Sequence, residues 1–380
     1  MKRIYLDHSA TTPVDQRVLE AMLPFLTEEF GNPSSLHSFG RAAKVALEEA
    51  RQKIASVINA SPGEIVFTSG GSEADNLAIA GAARAYRDKG NHLIANRIEH
   101  HAVLHIFEEL EKEGFEVTYV ECDRYGMIEP QTVESAIRPD TILMSIMHVN
   151  NEVGTINPIQ EIGAIAKNRN ILFHTDAVQS FGKLPLDVKI MPFDLMSMSA
   201  HKIYGPKGIG ALWVRRGVKL TPILYGGSQE RGQRAGTENI AGAVGFGKAA
   251  ELCKLEMAAE MPRLKQLQKL LWNTIQKEIP NVRLNGHPEQ RLPGHLNVSF
   301  NGAAGDELLI HLDLNGIAVS TGSACTSGAV GLSHVLKGMK IETQYGRGAV
   351  RMTMGRSSKE EDIPLIIEAL KNSLSKLASE

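Results

Sequence analysis

The densest set of residues able to do chemistry lies in Ser197-Met198-Ser199-Ala200-His201-Lys202-Ile203-Tyr204-Gly205-Pro206-Lys207-Gly208. An apolar segment that reads as a strand precedes it, and a Gly/Pro turn closes it. Ser199, His201 and Lys202 therefore sit at the carboxyl edge of a sheet, where α/β sheets bind ligands. A lysine there can form a Schiff base, and flanking Ser and His can hold a phosphate. A lone lysine after a strand is more often simply solvated. Upstream, Phe173-His174-Thr175-Asp176-Ala177-Val178-Gln179-Ser180 is a strand ending in an acid. A buried carboxylate facing a pyridine nitrogen keeps it protonated and makes the ring an electron sink, although Asp in that place is also a common N-cap. Thr68-Ser69-Gly70-Gly71-Ser72-Glu73-Ala74 reads as strand, glycine turn and helix start. Free N–H groups and the helix dipole bind phosphate at such a start. That turn is weak by itself, since Gly-Gly-Ser is common between strand and helix.

These residues need a sheet to position them, and the chain alternates accordingly. Strands are expected over 64–68, 92–96, 117–121, 141–149, 171–175, 194–199 and 210–214, with helices over 73–87, 101–112 and 159–167 between some of them. Strands alternating with helices of this length indicate an α/β domain with a mainly parallel seven-stranded sheet flanked by helices. From about 238 to 278 the pattern is helical and charged, with a break expected at Pro262. Segments 294–300, 306–314 and 317–320, a strand over 349–354 and a helix over 362–378 make a smaller α+β domain. The large domain is expected over 15–250, and the small one over 1–14 with 251–380.

The chain has 380 residues, 43% of them hydrophobic and 22% charged, with a net charge of −2. These are globular proportions, which argue against disorder and give no support for nucleic acid or an anionic membrane as partner. No apolar run approaches the ~20 residues of a membrane helix. Lys2 and Arg3 precede no apolar stretch, so no signal peptide is expected. Three cysteines in so long a chain suggest a reducing compartment, and a cytoplasmic location is expected. Cys122 and Cys253 read as small buried hydrophobes. Cys325 differs: Ser320-Thr321-Gly322-Ser323-Ala324-Cys325-Thr326-Ser327-Gly328-Ala329 holds almost nothing bulky, so a mobile loop bearing a reactive thiol is expected.

Taken together, the Lys202, Asp176 and Gly70–Ser72 segments resemble the fold-type I pyridoxal-phosphate enzymes of the class V aminotransferase group, and within it the cysteine desulfurases of the NifS/IscS-like first group. The resemblance runs nearly end to end. It is carried by Leu6-Asp7-His8-Ser9-Ala10-Thr11-Thr12-Pro13, Phe30-Gly31-Asn32-Pro33-Ser34-Ser35 and Val149-Asn150-Asn151-Glu152-Val153-Gly154. Arg234-Ala235-Gly236-Thr237-Glu238-Asn239 and Gly322-Ser323-Ala324-Cys325-Thr326-Ser327 complete it. The resemblance implies pyridoxal 5'-phosphate bound to Lys202, which also moves the Cα proton of the substrate. It implies Asp176 at the pyridine nitrogen, Gln179 at the ring oxygen and His100 stacked on the ring, with His101 merely a helix-start residue. Ser72, Ser199 and His201 would hold the phosphate, joined by Thr237 from the second subunit of a homodimer. Asn151 and Arg351 would hold the carboxylate of L-cysteine, a task suited to the planar fork of arginine. Read without the family, Arg351 is a surface ion-pair residue.

Cys325 would take the substrate sulfur as a persulfide, leaving L-alanine, and pass it to a sulfur acceptor or an iron–sulfur scaffold protein. No metal site is expected from the protein alone, because no histidine spacing forms a closed site with the cysteines. A transient bond from Cys325 to a [2Fe-2S] cluster shared with a scaffold is the one metal role left open. Three features depart from the family pattern: Ser72 in place of threonine, Gly331-Leu332-Ser333-His334 in place of Glu-Pro-Ser, and an end at Glu380 from which the longer scaffold-docking extension of some family members is expected to be missing. Two competing readings are a selenocysteine lyase or transaminating relative on the same fold, and a non-enzymatic protein of that fold.

Overall fold

The computed structural model describes residues 2–321 and 332–377. Twelve strands occur among the described residues: β1 Ile4–Tyr5, β2 Ile65–Thr68, β3 His92–Asn96, β4 Glu116–Val120, β5 Thr141–Ser145, β6 Leu172–Asp176, β7 Leu195–Ser199, β8 Gly210–Val214, β9 Val282–Leu284, β10 His295–Phe300, β11 Ile317–Ala318 and β12 Ala349–Thr353. Seven of them form one sheet in the order β2-β8-β7-β6-β5-β3-β4. Only β8 runs antiparallel to its neighbours. Its short connection from β7 holds Lys202 against the strand ends.

Side chains alternate across this sheet because successive Cβ atoms of a strand point to opposite faces. Ile94, Met144, Phe173, Met196 and Trp213 enter one apolar layer. Their neighbours Leu93, Leu143, Leu195 and Leu212 enter the other, against the helix Gly71–Ala85. That helix can lie close to the sheet because its buried face is Ala74, Ala78, Ala82 and similar small residues. On the opposite layer the helix Ser38–Val57 crosses the long helix Ile240–Glu278, and a Cβ on Gly247 would stand 2.7 Å from the Ala50 Cα. Glycine is what permits that approach.

A second body of structure is built on β12-β10-β9, an antiparallel sheet, and on the parallel pair β1-β11. Ile4 and Leu6 pack there with Leu271, Val298, Phe300, Val350 and Leu370. The expected break at Pro262 does not occur, since the helix runs unbroken for 39 residues. Proline removes one helical hydrogen bond. Here Phe246 and Leu252 anchor one half in the first core, while Leu264 and Leu271 anchor the other half in the second. Burial on both sides carries the helix through. Strand β5 also stops at Ser145, four residues early. Ile146 and His148 still donate to the His174 and Asp176 carbonyls, but Asn150 Oδ1 then accepts the Glu152 and Val153 N–H groups and folds the chain into a turn.

Candidate active site

The carboxyl ends of β6 and β7, the start of the helix Gly71–Ala85 and the segment after β1 enclose a cleft of about 890 Å³ including its mouth. Nine of the sequence candidates line it: Lys202, His100, Asp176, Gln179, Ser72, Ser199, His201, Asn151 and Arg351. Two do not. Thr237 is exposed and lies outside the cleft of its own chain, and Cys325 lies outside the described residues.

Lys202 ends a single 3-10 turn, Ala200–Lys202, that follows β7 directly. Its Nζ donates to the carbonyls of Ser9 at 2.6 Å and Ala10 at 2.7 Å. Burial, then the nearby charges of Arg351 and Lys183, depress its pKa to about 7. An amine near neutrality at physiological pH is a nucleophile and a proton carrier. Asp176 is 6% exposed at the end of β6, and its Oδ1 accepts the Val178 N–H at 2.8 Å. Burial lifts its carboxyl to about 6. Asp75 lies beside it, pushed well above the usual range by burial and then by the charge of Asp176.

His100 caps the helix His101–Lys112, accepting the Ala102 N–H on Nδ1 at 3.1 Å. That bond places the proton of the neutral ring on Nε2. Burial and then Lys202 lower its pKa to about 4, so the ring is neutral at pH 7. Glu99, fully buried, fixes the segment by accepting from the Met147 N–H at 2.7 Å and from Asn96. His101 meets His334 in a tilted ring contact, centroids 4.6 Å apart, and does not line the cleft.

Arg351 on β12 is no surface residue. It is 2% exposed, its Nη2 meets Asp7 at 2.7 Å, and its Nη1 donates to the Asn151 carbonyl at 3.0 Å. The guanidinium is thus braced at the cleft wall. Cys253 is buried and Cys122 half-buried, and burial raises both thiols to about 11. Both are therefore protonated at pH 7 and read as packing residues.

The arrangement fits pyridoxal phosphate. The helix Gly71–Ala85 begins without a side-chain cap, so its first-turn N–H groups are left for an anion beside the Ser72 hydroxyl. A Cβ on Gly71 would come within 2.8 Å of Val178 Cγ2, so the turn and the Asp176–Gln179 segment approach as only glycine allows. Gln179 donates to the Ser9 carbonyl at 3.0 Å, while its Oε1 is buried with no partner among the described residues. Such an orphan is expected where a ligand completes the site. Three contributors had no assigned role from sequence. Ser9 and Ala10 act through backbone carbonyls, which no side-chain pattern advertises, and Asp75 sits in an Ala-rich helix where an acid reads as solvent-facing.

The chain belongs to the aminotransferase class-V family, whose model matches residues 4–366. It is 51% identical over 378 residues to a "Cysteine desulfurase IscS" of Dictyoglomus turgidum, covering 99% of this chain and 96% of the relative. It is 51% identical over 376 residues to one of Methanosarcina thermophila, covering 99% and 93%. Among solved structures, a "NIFS-LIKE PROTEIN" superposes with a TM-score of 0.93 at 37% identity, over 99% of this chain and 100% of that one. "SspA in complex with cysteine" superposes at 0.83 with 40% identity, over 93% and 99%. The fold is that of the fold-type I pyridoxal-phosphate enzymes.

Proposed function

We infer that this enzyme removes sulfur from L-cysteine, releasing L-alanine and leaving a persulfide on Cys325. It is a pyridoxal-phosphate-dependent cysteine desulfurase. The observation that carries the reading is the cleft in which a half-buried lysine near neutrality, a buried aspartate and an uncapped helix start converge. The similar solved structure of SspA in complex with cysteine supports the substrate.

Pyridoxal phosphate, when bound, supplies an electron-withdrawing ring that weakens the bonds at the substrate Cα and then the Cβ–S bond. The chain's own residues do the rest. Lys202 would hold the cofactor through Nζ and carry the Cα proton of the substrate. Asp176 would keep the ring nitrogen protonated, Gln179 would bond the ring oxygen, and neutral His100 would pack against the cofactor. Ser72, Ser199 and His201 would hold the phosphate, with Thr237 reaching in from the partner of a homodimer. Arg351 binds the substrate carboxylate together with Asn151, its fork oriented beforehand by Asp7.

The Cys325 thiolate attacks the substrate sulfur. An S–S bond forms as the Cβ–S bond breaks, and the bonding electrons stay on the carbon fragment, which is reprotonated to alanine. The persulfide sulfur then passes to an acceptor, which we propose is an iron–sulfur scaffold or another sulfur-carrying protein. No described helix is long and apolar enough to cross a membrane, and we propose a cytoplasmic location. We also propose two domains, 15–250 and 1–14 with 251–380, joined through the long helix.

The test is product analysis with L-cysteine and a thiol reductant. Wild type is expected to give equimolar alanine and sulfide, and Cys325→Ser neither. Undiminished sulfide from Cys325→Ser would remove Cys325 from the reaction, whereas keto acid in place of alanine would move the enzyme to transamination.

A further inference from the structure

The loop over residues 228–237 is tied down by charged side chains, some to β2 and one to the first turn of the helix Gly71–Ala85. Arg51, in the helix Ser38–Val57, is 2% exposed and meets Glu230 twice, Nη1 to Oε2 at 2.7 Å and Nη2 to Oε1 at 2.8 Å. Glu230 Oε2 also accepts the Phe67 N–H at 3.0 Å. Arg51 and Arg231 both donate to the Ile65 carbonyl, at 2.8 and 2.7 Å. β2 is an edge strand, and these bonds occupy backbone groups that its open edge would leave unpaired. The loop gets there through two consecutive left-handed residues, Glu230 with φ 45° and Arg231 with φ 57°. That backbone is uphill for residues with a side chain and persists because the buried ion pair holds it.

Further along the loop, Arg234 reaches Glu73, with Nε at 2.8 Å from Oε1 and Nη2 at 3.3 Å from Oε2. Glu73 in turn accepts the Ser69 N–H at 2.8 Å. The carboxylate therefore lies in the first turn of the helix, one residue after Ser72. An acid there is favourable while the helix end is bare, because it faces the positive pole of the dipole. It becomes unfavourable once the same pole must hold a phosphate dianion. Burial alone would raise the Glu73 pKa, yet the bonds from Arg234 and Ser69 outweigh it and hold the carboxyl below its ordinary value. Glu73 is ionised and paired.

We propose that Arg234 is a positioning residue for the cofactor phosphate: its pairing with Glu73 removes a repelling charge from the helix end that bears Ser72, and the Arg51–Glu230 pair fixes the loop that delivers it. The proposal rests on the phosphate lying at that turn.

The test compares pyridoxal phosphate with pyridoxal, which lacks the phosphate, by following the visible band of the bound cofactor as the full chain is reconstituted. Arg234→Gln is expected to weaken pyridoxal phosphate roughly three- to ten-fold and leave pyridoxal unchanged. Glu73→Gln still accepts the Ser69 N–H, so combining it with Arg234→Gln should restore affinity to within about two-fold of wild type. An unchanged affinity in Arg234→Gln, an equal loss for pyridoxal, or a double variant as weak as the single one would overturn the proposal. If Ser72→Ala leaves the preference for pyridoxal phosphate over pyridoxal untouched, the phosphate lies elsewhere and the underlying placement falls instead.

Discussion

The two edges of the seven-stranded sheet carry the same residue types and treat them in opposite ways. At the amino edge a groove is lined by Lys89, Lys167, Arg169, Lys189, Asp194 and Arg215. Its charges are paired or left at the surface: Asp194 meets Arg215 at 3.1 Å with its side chain 24% exposed, and Arg169 meets Glu134 at 3.5 Å. At the carboxyl edge Asp176 is 6% exposed and its carboxylate accepts a backbone N–H, while Lys202 donates to two backbone carbonyls. One edge satisfies its charges and stays chemically quiet. The other buries an acid and an amine and so shifts both toward neutrality, to about 6 and about 7. Opposite charges lie near the groups at both edges; what separates them is that burial outweighs those charges at Asp176 and Lys202 far enough to bring both near neutrality, not residue type.

The contrast breaks most severely at Asp176. Asp176→Asn keeps the shape and removes the charge, and turnover is expected to fall about 10²–10³-fold with little change in the unfolding midpoint. Steady-state alanine release together with a thermal melt reads both.

Stability should depend on pH in a direction the buried histidines set. Burial lowers His100, His148 and His201 to about 4, and His174 to about 3. Between about 4 and 6.5 the unfolded histidines bind protons that the folded ones refuse, so stability rises with pH across that window. Asp176, raised from 3.8 to about 6, works the other way between those values, because there the folded state holds the extra proton. Burial also lowers His8, His92, His101, His295 and His334 and raises Asp75, Glu99, Glu152 and Asp194. Nine histidines against five carboxyls make the net slope positive, and melts of the cofactor-free chain from pH 4.5 to 7 are expected to climb. A falling midpoint would mean that these rings are protonated in the fold.

The smallest effect belongs to the amino edge. Asp194→Asn is expected to cost about 1 kcal/mol of stability, since it loses a partly exposed ion pair and keeps an oxygen for the Phe173 N–H bond at 3.0 Å. Turnover should be unchanged. A hundred-fold loss would erase the distinction between the edges.

The carboxyl edge was legible in the sequence because its residues follow strands directly. Asp176 and Ser199 end β6 and β7, and Lys202 comes three residues after Ser199, so reading the strands located all three. Ser9 and Ala10 had no such signal, since they reach Lys202 across more than 190 positions of chain and contribute main-chain oxygens. Arg351 reads as a surface cation until β12 is paired with β10 and Asp7 is brought beside it. The Pro262 expectation failed for a related reason: local chemistry argues for a break, and anchoring in two separate cores overrides it. What the sequence hides is whatever depends on distant segments meeting.

The most direct test of the account is to find which lysine carries the cofactor. Two half-buried lysines have depressed pKa values, Lys202 at about 7 and Lys183 at about 8. The linkage of the holoenzyme should be reduced with borohydride and the modified peptide mapped by mass spectrometry. The account predicts the pyridoxyl group on Lys202 alone, and no label in Lys202→Ala. A label on Lys183, or on any lysine outside the cleft, would contradict it.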